Sequence, residues 1–98
     1  MKNLNVEKIV KVIEKNKKEI LKLGVKKIGI FGSFTKRKES IKSDIDILVV
    51  FDRVSFDQYM ELKFMLEKRF RRKVDLVIEE SLKPRLKYVK KEAKYARL

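Results

Sequence analysis

Residues 28–52, IGIFGSFTKRKESIKSDIDILVVFD, constrain the fold more than any other stretch of this chain. Two apolar runs rich in Ile, Val and Phe read as strands. Between them lie a Gly32-Ser33 corner and a polar segment over residues 34–42, in which Phe34 is the expected anchor into the core. The second strand, predicted over residues 44–51, alternates its faces, so Asp44, Asp46, Leu48 and Val50 point one way and Ile45, Ile47, Val49 and Phe51 the other. The all-apolar face requires a covering layer of helices. The opposite face is apolar at one end and acidic at the other, as expected of a core that opens into a cleft.

The flanking segments supply that layer. Residues 4–23 carry Val6, Ile9, Val10, Ile13, Ile20 and Leu21 near helical spacing, with Asn5 as the N-cap and Gly24 just past the C-terminus. Residues 25–31 form the first strand, and Gly29 within it marks a place where another backbone or a ligand comes close. Residues 52–72 hold a second helix capped by Ser55, with Phe56, Tyr59, Met60, Met65, Leu66 and Phe70 as its expected buried face. Residues 73–78, KVDLVI, form a third strand in which Val74, Leu76 and Ile78 share one face and Asp75 and Val77 the other. Residues 81–98 read as a last helix, with Pro84 in its first turn and an apolar stripe of Leu82, Leu86, Val89, Ala93 and Ala96. Its remaining surface is basic, with Tyr88 and Tyr95 two turns apart. The order α-β-(short α)-β-α-β-α predicts a single α/β domain over residues 1–98, a small mixed sheet packed with helices.

Composition narrows the chemistry. The chain has 98 residues, enough for one core, and no apolar run of membrane-spanning length, so a cytoplasmic protein is expected. It has no Cys, which removes disulfides and Cys-based zinc sites, and no His, the commonest metal ligand and general base. Any metal must be held by oxygen, which favours Mg²⁺ or Mn²⁺ over Zn²⁺. The net charge of +13 raises the local concentration of anions such as nucleotides, RNA or an acidic partner. A charged fraction of 42%, dominated by Lys and Glu, also matches a hyperthermophile-like surface.

Three carboxylates carry the functional reading. Strand alternation sets Asp44 and Asp46 on one face, roughly 7 Å apart along the strand, and Asp75 joins them if the third strand lies beside the second. Like charges so crowded repel unless cations intervene, so the economical occupant is a pair of divalent ions that also hold nucleotide phosphates. At the Gly32-Ser33 corner, glycine lets the backbone approach a phosphate while the serine hydroxyl and nearby N–H groups donate to it. The P-loop pattern is absent.

Gly32-Ser33, ten residues, then Asp44-Ile45-Asp46 followed by an apolar strand resembles the signature of the DNA polymerase beta-like nucleotidyltransferase superfamily. Within it, the chain is similar to the minimal nucleotidyltransferases (MNT) that accompany HEPN-domain proteins. The resemblance implies that Asp44 and Asp46 ligate two Mg²⁺ (or Mn²⁺) ions, and that Asp75 is the third carboxylate and polarises the acceptor hydroxyl. It also implies that Gly32 and Ser33 hold the triphosphate. The implied activity is transfer of AMP from ATP to a hydroxyl, a tyrosine of a HEPN toxin, with the chain acting as antitoxin. One departure is that Arg37-Lys38-Glu39 carries Lys38 where family members commonly have glycine. Two other readings compete: a non-catalytic antitoxin of the same fold, and weak nucleic-acid binding through the basic C-terminal helix with Tyr88 and Tyr95 as stacking groups.

Overall fold

The computed structural model describes residues 4–34 and 44–98, except the Ser33 side chain. Helices α1 (Val6–Lys15) and α2 (Lys17–Lys22) lead into strand β1 (Val25–Phe31) and a single 3₁₀ turn at Gly32–Phe34. Strand β2 (Ile45–Phe51), helix α3 (Phe56–Phe70) and strand β3 (Val74–Ile78) follow. The chain then makes 3₁₀ turns at Glu79–Ser81 and Pro84–Leu86, a short helix α4 (Val89–Glu92) and a two-residue strand β4 (Lys94–Tyr95). The sheet runs β3-β2-β1-β4, with β2 parallel to β3 and the other pairs antiparallel.

Strand parity builds the core. Ile28 and Ile30 of β1 pair with Val49 and Ile47 of β2, while Ile45 and Ile47 of β2 pair with Val74 and Leu76 of β3. All of these are buried, in one cluster with Val6, Ile9 and Ile13 of α1, Ile20 of α2, and Leu62, Leu66 and Phe70 of α3. The helices therefore cover one sheet face, as the apolar face of β2 requires. Phe34 joins the same cluster and closes the 3₁₀ turn onto the core. Asn5 caps α1 by accepting from the Lys8 amide at 2.9 Å, and Ser55 caps α3 by accepting from Gln58 at 3.2 Å.

Three expectations need correction. The predicted helix over residues 4–23 is two helices, broken at Asn16, whose side-chain amide donates to the Val12 carbonyl at 2.7 Å and competes with the helical ladder. In α3, Phe56 is 76% exposed and the buried stripe is Leu62, Leu66 and Phe70, with Tyr59 and Met65 packed beside it. Successive residues turn by about 100°, which groups Tyr59, Leu62, Leu66 and Phe70 within an arc of about 80° and leaves Phe56 and Met60 outside it.

The third correction is the largest, because residues 81–98 do not form a helix. Tyr95 pairs with Gly29 at the edge of β1, and the Ala96 amide donates to the Ile28 carbonyl at 2.9 Å. A Cβ on Gly29 would lie 2.8 Å from the Tyr95 ring, so the glycine is what admits that ring to the sheet. Tyr88 and Tyr95 are thus not two turns of one helix, and the basic helix invoked for nucleic-acid binding does not exist. Among the described residues no helix is long and apolar enough to cross a membrane.

Candidate active site

The face of the sheet away from the helices carries the acids. Phe31 of β1 pairs with Asp46 of β2, and Asp46 pairs with Asp75 of β3, so the three side chains form one row across three strands. The next row is Tyr95, Gly29, Leu48 and Val77. Parallel pairing of β2 with β3 brings the two carboxylates side by side from residues 29 positions apart, as strand parity predicts.

Immediately after Phe31 the chain turns through Gly32, whose φ is +77°, a region that favours glycine. The Asp46 carboxylate occupies the space where a Gly32 side chain would be, and any Cβ there would collide with it. The glycine corner and the first acid are therefore packed against each other as one unit. Asp44, expected inside β2, lies one residue before it and is exposed. The Ser33 side chain and the Arg37-Lys38-Glu39 segment with its Lys38 departure lie outside the described residues.

Two cavities meet at Asp75. The first, of about 730 Å³, brings Asp75 together with Asp44 under a rim that includes Lys63, Arg71 and Lys73. The second, of about 490 Å³, runs from Phe31, Gly32 and Asp75 to an apolar wall formed by Leu82, Leu86 and Val89 beside Tyr88. The structure thus gathers Gly32, Asp46 and Asp75, while Asp44 lines the same hollow as Asp75. Every donor among them is oxygen. Among the described residues, no three acidic side chains are gathered closely enough to hold a metal ion unaided.

Several residues at this site were not legible as site residues in the sequence. Tyr59 of α3 donates its hydroxyl to the Leu76 carbonyl and so ties the helix to β3 next to Asp75. Burial, and then the Asp75 charge, raise the Tyr59 hydroxyl pKa above its ordinary value. Glu79 has a side chain only 12% exposed; it accepts from the Tyr95 hydroxyl at 3.1 Å and pairs with Lys90 at 3.4 Å. The Lys27 ammonium sits 4.3 Å above the Tyr95 ring. These contacts clamp the chain end to the turn after β3 and hold the apolar wall in place.

The clamp has a pH signature. Burial first, then the charge and hydrogen bond of Glu79, push the Tyr95 hydroxyl up to about 12 from an ordinary value of 10.0. The raised value means that the folded state favours the neutral phenol. Its stabilisation is complete below pH 10 and is lost as pH rises towards 12. Tyr95→Phe is therefore expected to be less stable than wild type by about 1 kcal/mol near neutrality, a hydrogen bond to a charged group discounted for solvent screening. In urea melts from pH 8 to 12 the gap between the two proteins should narrow above pH 10; a constant gap would show that Glu79 does not act through the phenol proton.

The profile of the polymerase beta nucleotidyltransferase family matches residues 7–94, which include the glycine corner and the acid-bearing strands. The chain belongs to the polymerase beta nucleotidyltransferase family. This nucleotidyltransferase is similar to protein adenylyltransferase MntA of Thermococcus cleftensis, at 39% identity over 85 residues, covering 85% of this chain and 86% of the relative. A solved structure described as a minimal nucleotidyltransferase matches with a TM-score of 0.81 and 28% identity over 96% of this chain and 98% of that one. A structure of tri-AMPylated Shewanella oneidensis HEPN toxin in complex with MNT antitoxin contains a chain that matches with a TM-score of 0.55 and 26% identity. That match covers 83% of this chain and 68% of the other. The chain is accordingly an enzyme of the nucleotidyltransferase class, of the type whose relatives carry the name protein adenylyltransferase.

Proposed function

We propose that this nucleotidyltransferase moves AMP from ATP to a hydroxyl of a partner protein, a tyrosine of a HEPN toxin, and thereby acts as its antitoxin. The observation that carries the reading is the pairing of Asp46 with Asp75 across parallel strands, with Gly32 packed on Asp46. Support for the substrate and partner comes from the adenylyltransferase name of the MntA relative and from the AMPylated HEPN toxin in the structural match.

The donor set suits Mg²⁺, with Mn²⁺ as the alternative. Mg²⁺ is usually held by one or two carboxylates together with substrate phosphates rather than by an all-protein cage. Asp44, Asp46 and Asp75 would supply the carboxylate oxygens. When bound, two such ions neutralise phosphate charge and favour departure of pyrophosphate.

The protein's own groups do the rest. Gly32 lets a phosphate approach its backbone, and Ser33 is assigned to the triphosphate with it. In this reading Asp75, which lines both cavities, takes the proton of the acceptor hydroxyl. The acceptor oxygen bonds to the α-phosphorus, the bond from that phosphorus to the bridging oxygen breaks, and pyrophosphate leaves with the electron pair. ATP labelled at the α-phosphate should label the HEPN partner, whereas ATP labelled at the γ-phosphate should not. Label from neither position, or from the γ-position alone, would contradict this assignment.

A further inference from the structure

The fold-back of the chain end gives the donor nucleotide a site that neither the family assignment nor the acidic row supplies. We propose that the wall formed by Leu82, Leu86, Tyr88 and Val89 holds the nucleobase and ribose of the donor, with Leu86 and Tyr88 as its base-contacting residues. The proposal rests on the reading of Gly32 and the acids as the triphosphate site.

The two cavities differ in what they contain. Both reach Asp75, but only one includes Gly32, the corner assigned to the phosphates in the proposed function. A nucleotide with its phosphates at Gly32 therefore extends its nucleoside into the cavity of about 490 Å³. That volume falls within the range of roughly 300–1,000 Å³ common for small-molecule sites. Its far side is apolar, which suits a base face, and Tyr88 adds an aromatic ring. Lys83 and Arg85 line the same cavity and make it attractive to an anionic ligand. The other cavity, which contains Asp44 and is rimmed by Arg71 and Lys73, is left for the acceptor.

The wall is also held in place. The Ser81 hydroxyl donates to the Ile78 carbonyl at 2.7 Å, and Glu79 joins Tyr95 and Lys90 behind it. Leu86 is 36% exposed and Tyr88 49% exposed, so both side chains are open to a ligand that enters the cavity they line. Stacking and apolar contact are sequence-tolerant, so this wall accepts a base face without selecting one base.

The test measures binding of a non-hydrolysable ATP analogue, with Mg²⁺, to wild type, Leu86→Asn and Tyr88→Ala, and of inorganic tripolyphosphate to the same proteins. Both variants should bind the analogue about tenfold more weakly, or worse, while tripolyphosphate binding stays within about twofold. Thermal melts without nucleotide check that each variant is folded; Tyr88→Ala, at a half-exposed position, keeps the test valid if Leu86→Asn unfolds. Unchanged analogue binding by folded Tyr88→Ala would overturn the proposal, as would equal losses for analogue and tripolyphosphate. If wild type binds the analogue through this wall yet transfers no AMP, the transferase reading fails and the wall stands. If AMP transfer proceeds with wild-type KM for ATP in both variants, the reading stands and the wall fails. No binding of the analogue by wild type would overturn both.

Discussion

Asp46→Asn is expected to lower AMP transfer by at least a hundredfold while leaving the protein folded. Its carboxylate is the centre of the row, with Asp75 beside it on β3 and Gly32 packed on it from the turn after β1. A charge that helps hold ions at a transferring phosphate contributes several kcal/mol to the transition state, and each 1.36 kcal/mol is about tenfold in rate. Asparagine keeps the shape of the side chain and much of its hydrogen-bonding capacity, so without added metal the variant should remain folded. Mg²⁺ with nucleotide should raise the melting temperature of wild type more than that of the variant, since a ligand stabilises only the state that binds it. A variant that melts normally and keeps wild-type transfer would remove Asp46 from the chemistry.

Gly32→Ala should damage both fold and function, for two separable reasons. The position has a φ of +77°, and an L-residue in the left-handed region costs about 1–2 kcal/mol. In addition, the new methyl would meet the Asp46 carboxylate, so either the 3₁₀ turn or the acid must move. A displacement of about 1 Å in a reacting group is enough for a hundredfold loss of rate. Lower stability with transfer reduced about a hundredfold or more is the expected outcome, measured by denaturant unfolding and initial rates on the same preparation. A full-rate Gly32→Ala enzyme would show that the corner and Asp46 do not act as a unit.

The acidic row was legible because a strand has a period of two. In DIDILVV the apolar set fixes which face is buried, and KVDLVI has the same constraint, so Asp46 and Asp75 had one face left to share. Local pattern failed where a distant partner decided the outcome. Leu82, Leu86, Val89, Ala93 and Ala96 recur at three-, four- and seven-residue spacings that imitate a helix. The open edge of β1 instead captured Lys94 and Tyr95 as a strand, with Gly29 as the clearing for the ring. Gly29 did signal a close approach; the spacing alone did not say from which segment. The nucleoside wall was hidden by the same error, since it exists only when residues 79–92 fold over the acidic face. Asn16 and Phe56 failed for smaller, local reasons: a side chain competing for the helical ladder, and a residue just outside the buried arc.

Intact-mass and peptide mapping of the HEPN partner after incubation with this protein, ATP and Mg²⁺ tests the central claim most directly, with released pyrophosphate counted in the same reaction. The expected result is AMP on a tyrosine of the partner, one pyrophosphate per AMP, and neither product with Asp46→Asn. A partner that is bound and silenced while carrying no AMP would contradict it, leaving a fold that acts by contact alone.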